Sequence, residues 1–129
     1  MKCLTEQRLL IGLIVLLTLV SGCGSAPQVS MLSPNDYRTQ FSTGSHLLLD
    51  VRTPSEYSEA HIDGSVNIAL QDLNTRLSEI PHDQPVVIYC RSGNRSAQAA
   101  QLLIDAGYTQ IYDMGGIIGW EQAGLPVVR

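Results

Sequence analysis

Apolar residues fall along this chain in two rhythms: continuous runs, and single residues at helical spacing. Leu9 to Val20 is almost wholly apolar, Leu47 to Val51 reads LLLDV, and Pro85 to Cys90 reads PVVIYC. The second and third are short and bounded by polar residues, as expected of strands buried on both faces of a parallel sheet. Val66 to Ile68 and Gln110 to Met114 fit shorter strands. Between them lie helical patterns. Ser33, Pro34, Asn35 and Asp36 form a helix start running to about Phe41, with a hydroxyl cap, Pro in the first turn and an acid behind it. Thr53, Pro54, Ser55 and Glu56 form a second start of the capping-box type. Leu70, Leu73, Leu77 and Ile80 share one face of a helix that Pro81 stops. Asn94 to Ala106 carries Ala97, Ala100, Leu103 and Ile104 at helical spacing, with Gly107 as its C-terminal cap. A last helical turn around Trp120 ends at Gly124, before Pro126. Strands and helices alternate without an internal repeat, which predicts an α/β domain with a mainly parallel central sheet flanked by helices. In such sheets ligands bind beyond the carboxyl ends of the strands.

The length, 129 residues, allows one ordinary domain. With 44% hydrophobic and 16% charged residues, collagen-like, coiled-coil and disordered readings fall away. The formal net charge of −4 argues against nucleic acid as a partner, since phosphate binding is driven by a surplus of Lys and Arg. The apolar content is concentrated at one end, however. The run Leu9–Val20 follows Lys2 and Arg8 and is too short to span a bilayer, where about 20 residues are needed. It reads as the core of an export signal. Val20, Ser21, Gly22 and Cys23 then resemble a bacterial lipobox, small residues ahead of a cysteine that becomes the lipidated amino terminus. An ordinary signal peptide with a chance cysteine, or an uncleaved anchor, is the alternative. The expected organisation is residues 1–22 as a lipoprotein signal, 23–32 as a tether and 33–129 as the folded domain. Gly24 after the cysteine resembles lipoproteins sent to the outer membrane, so the expected location is the cell envelope, lipid-anchored at the periplasmic face of that membrane.

Cysteine usage then narrows the chemistry. Cys3 leaves with the signal and Cys23 is blocked by lipid, so Cys90 is the one free thiol expected in the mature chain. A solitary exported cysteine cannot form an internal disulfide; it is either buried and inert or kept for its reactivity. The cysteine count excludes a Cys-based zinc site, and His46, His61 and His82 lack ligand spacing, so no metal is expected. Cys90 ends the strongest strand and opens CRSGNRS, Cys90 to Ser96, directly before a helix. Gly93 permits a tight turn, successive N–H groups can point inward, and the helix offers its positive end. The same field favours a thiolate. Arg91 and Arg95 flank the thiol. The alternative is a structural cysteine at a strand end with surface arginines.

At this point a resemblance becomes specific. Ser33 to Val128 resembles a single-domain rhodanese, a thiosulfate sulfurtransferase. Three segments carry the likeness: LLDVRTPSEYSEAHIDGSVNI (Leu48–Ile68), VVIYCRSGNRSAQAA (Val86–Ala100) and GGIIGWEQAGLPV (Gly115–Val127). Ala60 stands where the family usually has Gly and Ser65 where it usually has Ala, both outside the Cys90 loop. The resemblance implies that Cys90 takes sulfur from thiosulfate or another sulfane donor as a persulfide and yields it to cyanide or a thiol, without a cofactor. Arg91, Ser92, Gly93, Asn94, Arg95 and Ser96 would bind the substrate, Arg91 steering the donor and Arg95 mainly holding the loop. Cysteine-dependent phosphatases and arsenate reductases place their loop arginine one position later, where this chain has Ser96. A persulfide carrier, or a noncatalytic binding module of the same fold, is the alternative function.

Other polar residues read as structural. Asp50 and Arg52 are expected to pair with each other or to support the loop. Glu56 is the capping-box acid, His61 a capping or packing residue, and Trp120 a core residue.

Overall fold

Residues 24–129 are described by a computed structural model. Cys23 and the segment expected to be a signal lie outside the described residues. The elements are β1 (Ser30–Met31), α1 (Pro34–Gln40), β2 (Leu47–Asp50), α2 (Pro54–Glu59), β3 (Val66–Asn67), α3 (Leu70–Leu73), β4 (Val86–Cys90), α4 (Asn94–Asp105), β5 (Ile111–Gly116) and α5 (Ile117–Gln122), with a 3-10 turn at Leu77–Glu79. The five strands pair in parallel in the order β1-β5-β4-β2-β3. The sheet is the expected α/β architecture, with β4 at its centre.

Alternation along β4 explains why its sequence is apolar throughout. Val86, Ile88 and Cys90 enter a core with Leu49, Val51, Ala99 and Leu103, while Val87 and Tyr89 enter a second core with Leu48, Met114 and Trp120. Each face is roofed by helices, so neither set of side chains has a solvent side to be polar on. The predicted caps form. Ser33 accepts from the Asp36 N–H at 3.1 Å, and Thr53 and Glu56 satisfy each other's backbone N–H groups across the first turn of α2. Trp120 is a core residue whose indole N–H donates to the Pro126 carbonyl at 2.9 Å.

Several expectations need correction. Leu70 to Ile80 is not one helix: α3 stops at Leu73, and a 3-10 turn resumes at Leu77. The Thr75 and Arg76 N–H groups close tight turns on Asp72 and Leu73, and the Thr75 hydroxyl takes the Asp72 carbonyl, competing with a continued helix. Leu73 and Ile80 are buried and Leu70 and Leu77 pack beside them, because two short turns meet the same spacing. On α4, Ala97 is exposed, and Ser96 and Ala99 face inward instead. The stretch expected as a tether contains β1, which adds to the sheet edge along β5. Among the described residues no helix is long and apolar enough to cross a membrane.

Candidate active site

The loop Arg91 to Gly93 leaves the carboxyl end of the central strand and turns into α4. Gly93 caps the helix with φ 111°, a left-handed conformation that side chains disfavour, and its N–H donates to Cys90 Sγ at 3.0 Å. Burial pushes the Cys90 thiol up. Hydrogen bonds from the Ser96 backbone and hydroxyl and from the Gly93 and Ser92 N–H groups outweigh it, so the thiol sits below its ordinary value. Ser96 is fully buried, with its hydroxyl also within reach of the Gly93 and Gly115 carbonyls, at 3.0 and 3.2 Å. Cys90 is therefore a buried free thiol whose surroundings favour its anion.

The loop residues divide by exposure. Arg91, Ser92 and Asn94 are exposed. Arg91 meets no carboxylate at ion-pair distance among the described residues. Asn94 commits its side-chain oxygen along α4, accepting from Gln98 Nε2 at 2.6 Å. Arg95 folds back onto α2 and grips Glu56 through two 2.8 Å hydrogen bonds. The Arg95 guanidinium and the Thr53 cap hold the Glu56 carboxyl down at about 2 against a smaller opposing effect of burial. Glu56 is thus both the capping acid and the anchor of the loop.

Asp50 and Arg52 pair with each other in the interior. Arg52 donates to both Asp50 oxygens at 2.7 to 3.0 Å and to the Ala60 carbonyl at 2.7 Å, closing the end of α2 against β2. The Asn67 amide ties the Asp50 and Arg52 carbonyls. His61 packs, stacking on the Tyr57 ring at 3.9 Å with Nδ1 at 2.9 Å from the Tyr57 carbonyl. Among the described residues no group of three or more His, Cys, Asp or Glu side chains is placed to hold a metal ion.

Sequence reasoning missed the support behind the loop. Opposite Ile88–Cys90, β5 carries one extra residue, so that Ile88 pairs with Asp113 but Cys90 pairs with Gly116. This bulge is held by the buried Asp113 carboxylate, which accepts from the Gly115 N–H at 2.8 Å. It presses Gly116 against the loop: a Cβ there would sit 2.1 Å from the Arg91 carbonyl oxygen. The Ile118 N–H then donates to that same carbonyl at 3.3 Å. The Gly115–Gly116 doublet after an apolar strand is the signal that could have pointed to it.

Two hollows flank the loop. The smaller, about 200 Å³, is lined mostly by apolar atoms of Val51, Ala69 and Leu70 with Arg95 at its edge. The larger, about 480 Å³, is lined by Arg52, Glu56, Glu59, Arg91, Ile117, Ile118 and Glu121.

A parallel α/β domain whose central strand ends in a thiol, cradled by backbone N–H groups at the head of a helix, has an arrangement chemically suited to a cysteine nucleophile. The family description "Rhodanese-like domain" matches residues 33–123, and the chain belongs to that family. It is 46% identical over 83 residues to a sulfurtransferase of Allochromatium vinosum, covering 64% of this chain and 78% of that protein. To the thiosulfate sulfurtransferase PspE of Escherichia coli it is 35% identical over 83 residues, 63% of this chain and 77% of that one. Among solved structures, a rhodanese-related protein of Thermoplasma volcanium superposes with a TM-score of 0.70 at 30% identity, over 77% of this chain and 97% of the other. Family and relatives together support sulfurtransferase activity in the broad sense.

Proposed function

We propose that the protein is a rhodanese-type sulfurtransferase that carries sulfane sulfur on Cys90. The observation that carries this reading is the Cys90 thiol held below its ordinary value under the Gly93 N–H, in a chain of this family. In the first half-reaction the Cys90 thiolate attacks the outer sulfur of thiosulfate. The S–S bond of the donor breaks, sulfite leaves with its electron pair, and Cys90 retains one sulfur as a persulfide anion. Loop N–H groups that hold the thiolate hold the persulfide equally, and no general base is required once the thiol is ionised. In the second half-reaction cyanide or a thiol removes the outer sulfur and regenerates the thiolate. Arg91, exposed and with no carboxylate at ion-pair distance among the described residues, attracts the dianionic donor. Arg95 is committed to Glu56 and keeps the loop in place. That commitment, together with Ser96 at the position where phosphatases carry their arginine, counts against phosphoryl chemistry.

The test is thiocyanate formation from thiosulfate and cyanide, beside Cys90→Ser, with intact mass recorded after thiosulfate alone. Repeated turnover and one retained sulfur atom, both lost in the variant, are expected. Retained sulfur without turnover would favour a carrier, and neither signal in a folded protein would overturn the reading.

The proposal extends to the amino-terminal segment. Residues 1–22 act as a lipoprotein signal, Cys23 carries the lipid, and the domain is anchored at the periplasmic face of the outer membrane. The lipobox pattern Val20–Cys23 behind an apolar core supports this. Labelled palmitate should enter the wild type and not Cys23→Ser; incorporation that persists in the variant would sink the assignment.

A further inference from the structure

The larger hollow beside the loop is built for something other than thiosulfate alone. At about 480 Å³ it lies in the range of small organic ligands, far beyond a five-heavy-atom inorganic anion. Its charge points the same way. Arg52 is neutralised by Asp50, and Glu56 by Arg95. What remains facing the hollow is the guanidinium of Arg91 against the carboxylates of Glu59 and Glu121. Glu121 also meets Arg129 at 3.3 Å, but that arginine is 70% exposed and the contact is screened by solvent. Ile117 and Ile118 supply an apolar wall, and Ile118 remains 39% exposed, enough to cover a short hydrocarbon stem.

We infer that Glu59 and Glu121 select the sulfur acceptor, favouring organic thiols that carry a positive charge near the sulfur and disfavouring anionic ones. The inference rests on the sulfurtransfer reading above and deepens it. In the step concerned, the acceptor thiol passes its proton to the outer sulfur of the Cys90 persulfide anion as its own sulfur attacks that atom. The new S–S bond forms on the acceptor, the Cys90 S–S bond breaks, and Cys90 leaves as the thiolate, with the proton staying on the transferred sulfur. An ammonium group on an acceptor that enters through this hollow is attracted by the two carboxylates, whereas a sulfonate is repelled by them. The same two carboxylates oppose the entry of thiosulfate, which Arg91 attracts.

The full protein is treated with thiosulfate, its retained sulfur is measured by intact mass, and the loss of that sulfur is timed with three thiols. These are cysteamine, 2-mercaptoethanol and 2-mercaptoethanesulfonate, which carry a positive, no and a negative charge. Intrinsic thiol reactivity cancels when the cysteamine-to-sulfonate rate ratio of the wild type is divided by that of the Glu59→Gln, Glu121→Gln double variant. That quotient is expected at about three to ten, shrinking as salt rises. The KM for thiosulfate should fall in the same variant, by about threefold. The two changes run in opposite senses, which a general loosening of the structure would not produce. Glu79→Gln, on the exposed Arg76 pair, should leave the ratio alone. Retained sulfur with an unchanged ratio overturns the selectivity and leaves the sulfurtransfer reading standing. Absence of retained sulfur overturns both.

Discussion

Two arginine–carboxylate pairs hold the second helix against the rest of the domain, and they differ in nearly every physical respect. Asp50 and Arg52 are separated by one residue and are buried, with side chains 0% and 6% exposed. Glu56 and Arg95 stand 39 positions apart, with side chains 28% and 32% exposed. The first closes the carboxyl end of α2 through the Ala60 carbonyl; the second ties its amino-terminal turn to the Cys90 loop. A buried pair has exchanged hydration for fixed partners and tolerates no half-removal. A half-exposed pair retains water as a substitute partner, so it contributes little to stability and serves chiefly to position the loop.

The sharpest way to test this difference is Arg52→Ala, which leaves the Asp50 carboxylate buried and unpaired. A loss of about 3–5 kcal/mol is expected, visible as a fall in the thermal midpoint of at least about 10 °C. If the loss were under about 1 kcal/mol, the interior would be wetter than its burial indicates. Gly116→Ala comes next, because its methyl group would meet the Arg91 carbonyl, which both backbone and bulge hold in place. A cost of about 1–3 kcal/mol is expected, with a changed rate of Cys90 alkylation, since the strain falls on the loop.

Glu56→Gln keeps a capping-box side chain but discharges the pair, and should cost only about 1 kcal/mol. Its pH signature is distinctive. The carboxyl titrates at about 2 in the folded protein against 4.5 ordinarily, so its contribution is intact above pH 4.5 and is lost as pH falls from there towards 2. Acid unfolding followed by circular dichroism should be steeper through that window in the wild type than in the variant. The smallest effect is salt: raising ionic strength should narrow the gap between wild type and Glu56→Gln and leave the Arg52→Ala gap almost unchanged. Equal salt sensitivity would erase the distinction between the two pairs. The Cys90 thiol adds a separate check, since Ser96→Ala removes a donor and should move the midpoint of its pH–alkylation profile upward.

The same contrast shows what could be read in advance. Asp50 and Arg52 are neighbours at the end of an apolar strand, so their mutual pairing was foreseeable from local geometry. Glu56 could be read as a cap and Arg95 as a loop support, but not as partners of one another. Nothing in the spacing of residues 56 and 95 tells that β2 and β4 are adjacent and that their following helices start side by side. The break after Leu73 was illegible for another reason: the apolar spacing Leu70, Leu73, Leu77 and Ile80 suits one helix or two short turns alike.

Local chemistry was therefore written into the chain itself. Apolar runs specified doubly covered strands, Ser33 and Thr53 started helices, and Gly93 after Cys90 allowed the turn that aims an N–H at the thiol. These depend on residues within a few positions of one another, whose backbone preferences are short-ranged. Only the tertiary structure decided that the β5 bulge would press Gly116 beneath the loop, that Glu56 would hold Arg95, and that Glu59 and Glu121 would face Arg91 across one hollow. Each of those joins segments distant in the chain, and sheet order brought them together, a long-range outcome of packing that no local pattern encodes.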